Sequence, residues 1–194
     1  MARPLQQATA AEDSQKAFDT ILMAFVADPV CRWMYPTAEQ YFAHFPGFIK
    51  GLAGPSVQRE TAWRLGGYDA VALWLPPGAG PDGEAIGAHA EATVEKERLD
   101  ELFSIVEQMD EHHPTYPHWY LPWLGVDVVK QGKGIGGELL KQTLRKVDED
   151  RLPAYLESPN LRNVPFYERH GFEVIGASET NTAPPVTFML REAR

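Results

Sequence analysis

The 194-residue chain has a single cysteine, Cys31, so no intrachain disulfide can form. That excludes a disulfide-dense secreted scaffold and fits a reducing compartment. Long hydrophobic runs are also missing. The longest, Ile21–Ala27, falls far short of the roughly 20 residues that cross a bilayer. Met1 to Lys16 contain no apolar stretch of the kind that directs secretion, so a cytoplasmic protein without a membrane partner is expected. Basic residues are scarce: 18 Lys and Arg stand against 27 Asp and Glu, a net charge of −9. A nucleic-acid partner needs a basic face and is not expected. No repeat, low-complexity tract or linker breaks the sequence, and residues 1–194 read as one domain.

Hydrophobic residues make up 44% of the chain, enough for a packed core. The charge is uneven. Residues 130–170 hold eight Lys/Arg and six Asp/Glu, which leaves −11 for the rest. An acidic protein with one locally basic stretch can hold a small polyanion there.

Residues 3–8 read as a short strand. Thr9 and Glu12 have capping-box spacing before a helix with Phe18, Ile21, Leu22 and Phe25 on one face. Asp28-Pro29 is expected to end that helix. Thr37 and Gln40 repeat the capping box before Tyr41, Phe45, Phe48, Ile49 and Leu52, with Pro46 expected to kink or split the helix. Residues 61–66 and 69–75 read as paired strands around Gly66-Gly67. Residues 82–111 carry ten acids and two bases, and Leu99, Leu102, Phe103, Val106 and Met109 mark an amphipathic helix within them. Then follow a strand at Trp119–Val126, a glycine-rich turn, and a helix with Ile135, Leu139, Leu140 and Val147 inward. A strand at Ala154–Glu157, a brief helix from Val164 to Arg169, and strands at Phe172–Ile175 and Val186–Leu190 complete the chain. This is a mixed α/β (α+β) pattern, with helices on both faces of a mostly antiparallel sheet.

The most informative segment is Gln131-Gly132-Lys133-Gly134-Ile135-Gly136-Gly137. Glycines between a strand and a helix let a ligand approach the backbone, and the first helical amides then point at it. With the helix dipole they make a site for phosphate oxygens, with Lys133 and the Gln131 amide as donors at the rim. Gly132, Gly134 and Gly137, with Glu157 twenty residues beyond, also satisfy a dinucleotide-binding fingerprint by spacing. A nicotinamide-dependent oxidoreductase is therefore one alternative. Against it, the motif starts at residue 132 and leaves too little chain for the usual βα units. The P-loop pattern fails, because no Gly-Lys-Ser/Thr follows.

A different pattern fits better. Gln131-x-x-Gly134-x-Gly136, with Leu124-Gly125-Val126 before it and Asn163–Phe172 after it, resembles the acetyl-CoA-dependent N-acetyltransferases of the GNAT type. The resemblance implies a GNAT-type fold and acetyl transfer from acetyl-CoA to a small-molecule amine by direct attack, with no metal. A non-catalytic acyl-CoA-binding module is the other alternative. The resemblance puts the strand at Leu124, Gly125 and Val126 beside the pantetheine arm and Tyr167 beside the sulfur as general acid. The diphosphate falls at Gly132, Gly134, Ile135, Gly136 and Gly137, with Asn163 and Phe166 completing the cofactor set. A strand splayed or bulged there, eased by Gly125, would free its backbone groups. Glu157, at a strand end, and His118, a neutral imidazole at the start of a strand, are the two candidate bases. His112, His113 and His118 with Cys31 match no zinc-ligand spacing. Trp33, Tyr35, Tyr41, Phe42, Phe45, Trp119, Tyr120 and Trp123 are candidates for lining an amine pocket, and core packing accounts for them equally well.

Overall fold

A computed structural model describes residues 3–8 and 11–194, without the side chains of residues 11 and 12. The Thr9–Glu12 capping box lies outside what is described. The order of elements is β1 (Leu5–Gln7), α1 (Ala11–Ala24), α2 (Pro29–Met34), α3 (Ala38–Gln58), β2 (Ala62–Leu65), β3 (Ala70–Leu75), α4 (Gly83–Thr93) and α5 (Lys96–His112). There follow β4 (Trp119–Val126), α6 (Ile135–Val147), β5 (Ala154–Ser158), α7 (Val164–Glu168), β6 (Glu173–Ala177) and β7 (Thr187–Arg191).

The strands form one sheet in the order β1-β2-β3-β4-β5-β7-β6. Every pairing is antiparallel except β4 with β5. A dinucleotide-binding sheet would be parallel, so the oxidoreductase alternative falls with this topology. β3 is buried along its whole length. Its side chains alternate between two cores: Val71 and Leu73 face α1 and α3, while Ala70, Ala72 and Trp74 face α6. A sheet covered on both faces has this continuous apolar pattern.

Two irregularities shape the site. First, β4 pairs with β5 only at Trp119↔Ala154 and Tyr120↔Tyr155. Beyond those positions the two parallel strands part. Second, β4 carries a bulge against β3, whose register runs Leu73↔Trp123 and then Leu75↔Tyr120. Leu121 and Pro122 thus oppose Trp74 alone. Proline has no N–H to give a ladder and is tolerated at a bulge. Around Gly125 the strand is thus splayed from β5 and not bulged: Gly125 pairs regularly with Val71, and the bulge falls three to four residues earlier. What demands glycine there is α1. A Cβ on residue 125 would lie 2.8 Å from the Ala24 Cβ and 3.0 Å from the Ile21 Cδ1.

Two other expectations are corrected. Asp28-Pro29 does not end the first helix, which stops at Ala24. It starts α2 instead, with Asp28 as N-cap and Pro29 in the first turn, where a missing N–H costs nothing. α3 opens on the Thr37–Gln40 capping box as read, but it continues unbroken through Pro46 and Pro55. The amphipathic helix read within residues 82–111 is α5, and α4, capped by Asp82, precedes it.

Candidate active site

The glycine-rich turn opens α6 without a side-chain cap. Its N-cap, Gly134, has φ +75°, and Gly132 has φ +73°. A Cβ on either would meet no atom within 4 Å, so conformation and not crowding calls for glycine at both. The helix's first return bond runs from the Glu138 N–H to the Gly134 carbonyl at 3.0 Å. The amides of Ile135, Gly136 and Gly137 therefore have no acceptor within the helix. Phe166 packs beneath them, 3.8 Å from a Cβ built on Gly136 or Gly137.

These amides face a cavity of about 520 Å³. Leu124, Gly125 and Val126 form one wall, along the part of β4 that has left β5. Gln131, Gly132, Gly134, Ile135, Gly136 and Gly137 form the floor, and Asn163, Phe166 and Tyr167 the opposite side. Twelve of the thirteen positions read from sequence as cofactor contacts are thus brought together. Lys133 is the exception, because its ammonium turns back to the Val129 carbonyl at 3.1 Å. The Gln131 amide likewise donates to the Val126 carbonyl at 3.1 Å, bracing the loop where a donor at the rim was expected. The cations lining the cavity are Lys130 and Arg162, neither of them singled out by the motif.

Tyr167 is half-buried on α7. Burial, and then the negative charge of Asp28, push its phenol well above the ordinary 10. It stays protonated throughout the working range, and it is a weaker acid than a free phenol. Asp28 was missed in the sequence, where Asp-Pro reads as a helix stop. Its side chain accepts from the Val30 N–H at 3.0 Å and the Cys31 N–H at 3.2 Å, and it lines the same cavity. Burial raises its carboxyl to about 6 despite those bonds. The buried Cys31 thiol is pushed up by burial and by Asp28, which keeps it from serving as a thiolate nucleophile.

A second cavity, about 130 Å³, lies next to the first. Adjacent residues line one cavity and then the other: Trp123 and Leu124 on β4, Pro159 and Asn160 after β5, Val30 and Asp28 at α2. The two linings adjoin where β4 and β5 part. The second is walled by apolar side chains of α2, α3, α5 and β4, with Glu157 at its edge. The Glu157 side chain is only 6% exposed. Its charge, after burial itself, raises the neighbouring phenols of Tyr120 and Tyr155.

His118 does not line either cavity, but it is connected to Glu157. The His113 Nδ1 is 3.6 Å from the Glu157 Oε1, and the His113 Nε2 is 3.0 Å from the His118 Nε2. The His118 Nδ1 lies 2.8 Å from the Tyr116 carbonyl, which can only accept. The neutral His118 ring therefore carries its proton on Nδ1 and accepts at Nε2 from His113. That leaves the lone pair on the His113 Nδ1 facing the carboxylate. Burial, the largest influence on His118, lowers its pKa and favours the neutral ring.

Of the candidate aromatics, Phe45, Tyr120 and Trp123 line the second cavity. Trp119 packs on the opposite face against Trp63 and Trp74. Tyr35 and Tyr41 belong to the core, Phe42 is exposed, and Trp33 donates to Thr182. Among the described residues, no group of three or more His, Cys, Asp or Glu side chains is placed to hold a metal. No helix among them is long and apolar enough to cross a membrane.

A mostly antiparallel sheet whose two parallel strands part beside an uncapped helix start is the architecture of an acyltransferase. A model of the Acetyltransferase (GNAT) family matches residues 43–172, and the chain belongs to that family. An uncharacterized N-acetyltransferase of Schizosaccharomyces pombe is 28% identical over 204 residues, covering 94% of this chain and 81% of its own length. Two crystal structures share the fold. One, described as "histone acetyltransferase HPA2 and related acetyltransferase" from Corynebacterium glutamicum, has a TM-score of 0.69 at 21% identity, covering 100% of this chain and 98% of its own. The other, a Drosophila melanogaster polyamine N-acetyltransferase that forms N-acetylagmatine, has a TM-score of 0.67 at 14% identity, covering 97% and 99%.

Proposed function

We propose that the protein transfers an acetyl group from acetyl-CoA to the primary amine of a small molecule, by direct attack. One observation carries this reading. The free amides at the start of α6, the unpaired edge of β4 and Tyr167 share a single cavity, and at the sheet's split its lining adjoins that of a second cavity that includes Glu157.

The residues present suit an acyl carrier with a diphosphate and an extended amide arm. The uncapped amides of residues 135–137 and the positive end of the helix favour phosphate oxygens, with Arg162 adding charge at the rim and Lys130 beside it paired with Asp69 at 3.5 Å. The backbone of Leu124–Val126, released from β5, offers hydrogen-bonding groups to the arm. Acetyl-CoA supplies a thioester whose carbon accepts the amine and whose sulfur leaves.

The chain's own groups then move protons. Glu157 takes a proton from the bound ammonium, leaving the neutral amine to attack, and a carboxylate held this dry has no direct route to water. His113 accepts from Glu157 at Nδ1 and gives from Nε2 to His118, which reaches the surface. Tyr167 returns a proton to the departing sulfur. Burial holds its phenol above the ordinary 10, which weakens it as an acid, and desolvation of the departing thiolate in the same cavity raises that group's basicity to match.

Parts of the chain, notably Pro153–Ser158 and Arg162–Phe172, are similar to puromycin N-acetyltransferase, and a bulky drug amine is one acceptor to assay. The deciding experiment measures thiol release from acetyl-CoA over an amine panel, with Tyr167→Phe beside the wild type. The expected result is turnover by the wild type, and a kcat at least a hundredfold lower in Y167F with unchanged CoA affinity. CoA binding without turnover of any amine would favour a non-catalytic acyl-CoA-binding module.

A further inference from the structure

We infer that the acceptor is a monoamine, with one primary amine on a single apolar body about the size of a phenyl ring or a branched butyl chain. This rests on the acetyltransferase reading above and names the substrate class of that site. It differs from the dicationic acceptors suggested by the polyamine N-acetyltransferase that shares the fold.

The second cavity sets both the chemistry and the size. Its walls are hydrocarbon, sulfur and ring: Val30, Met34, Phe48, Ile105, Met109 and Trp123. Among its described lining residues, Glu157 is the one carboxylate. Its volume of about 130 Å³ compares with the ~150 Å³ of an apolar protein cavity that holds benzene. One ring or one branched alkyl group fills such a space, and a longer chain must leave it.

Charge then selects within that size. Within the lining of this pocket an amine meets one carboxylate, so one ammonium is balanced; Asp28 stands in the first cavity, and Asp110, outside the lining, acts on Tyr120 and Tyr155 through its charge. Desolvation by the apolar walls pushes that ammonium toward the neutral form, the only form whose nitrogen lone pair can attack. As the nitrogen bonds to the acyl carbon and the carbon–sulfur bond breaks, the amine's proton goes to Glu157 and the sulfur is protonated by Tyr167. A second ammonium on a chain short enough to stay inside would sit among the apolar walls without a counter-charge, at a steep desolvation cost. The remaining acids at that end of α5, Glu107, Asp110 and Glu111, are exposed and do not line the cavity.

The test compares kcat/KM for phenethylamine and isoamylamine with that for putrescine, spermidine and agmatine, in the full-length enzyme with acetyl-CoA. The monoamines are expected to lead by about a hundredfold or more. A second arm uses Val106→Glu. Val106 lines the cavity but is 38% exposed on α5, so the substitution adds a carboxylate at the mouth without cutting into the core. It should raise the diamine-to-monoamine ratio about tenfold, a gain that a folding defect would not produce. Diamines turned over as well as or better than the monoamines would overturn the assignment, as would turnover of neither class by an enzyme that binds CoA. Loss of CoA binding itself, read by calorimetry, would bring down the acetyltransferase reading beneath it.

Discussion

Replacing Asp28 by Asn should stabilise the protein at neutral pH and leave it unchanged at acid pH. The Asp28 side chain is buried, with the residue 6% exposed, and its carboxyl is held at about 6 against an ordinary 3.8. At 1.36 kcal/mol per pH unit, keeping it ionised costs the folded state about 3 kcal/mol. Asparagine keeps the side-chain oxygen that caps α2, and Asn and Asp are equivalent N-caps. Only the buried charge is lost. Between pH 4 and 6 the folded protein binds a proton at Asp28 that the unfolded chain does not. Asp28 therefore makes wild-type stability fall as pH rises through that window. The variant lacks this dependence. Urea unfolding followed by tryptophan fluorescence should place D28N about 2–3 kcal/mol above the wild type at pH 7.5, with the gap closing by pH 4. A destabilised D28N at pH 7.5, or a gap that does not change with pH, would refute the reasoning. The groups around Asp28 do not titrate in this range, since the Cys31 thiol and the phenols of Tyr41 and Tyr167 are all shifted upward.

Three further outcomes can be measured. His113→Phe keeps a ring against Tyr120 and Tyr155 but breaks the path from Glu157 to His118. Its kcat should fall tenfold or more, with acetyl-CoA KM unchanged and partial rescue by added imidazole, because a proton carrier and not a scaffold is missing. Gly134→Val puts a β-branched residue at φ +75°, where no atom lies within 4 Å of a Cβ. The fold should survive at a cost of about 1–2 kcal/mol, while CoA affinity measured by calorimetry drops at least tenfold. Gly125→Ala should cost about 1–3 kcal/mol by driving a methyl against Ala24. A double-mutant cycle with Ala24→Gly should return a coupling of about 1 kcal/mol or more.

What could be read from the sequence follows from how local each signal is. β4, α6, β5 and α7 were placed to within a residue or two, because period-two and period-3.6 patterns and the glycine turn are written in consecutive positions. The amides of residues 135–137 are legible for the same reason: backbone geometry alone exposes them. The misses concern partners distant in the chain. Lys133 stands inside the motif yet bonds back to Val129, and Lys130 reaches the cavity instead, a choice made by how the loop folds. His113 reads as an ordinary residue at the end of an acidic helix. Its role depends on β4 and β5 bringing His118 and Glu157 to its two nitrogens. Asp28 reads as a helix stop, and only burial makes it a carboxyl that titrates near neutrality.

These misses share a cause that bears on the chemistry. The carrier cavity is built mainly from main-chain groups and small residues, so a short motif records it. The acceptor side is built from side chains on α2, α3, α5, β4 and β5 that share no local pattern. The split after Tyr120 lies between the two halves, and just beyond it β4 bulges against β3 at Leu121 and Pro122. The carrier half can therefore stay fixed while the acceptor half changes by single side chains. Val106, exposed at the rim of the second cavity, and Asp28, whose charge reaches Tyr167 across the first, are the positions where such changes would act most directly.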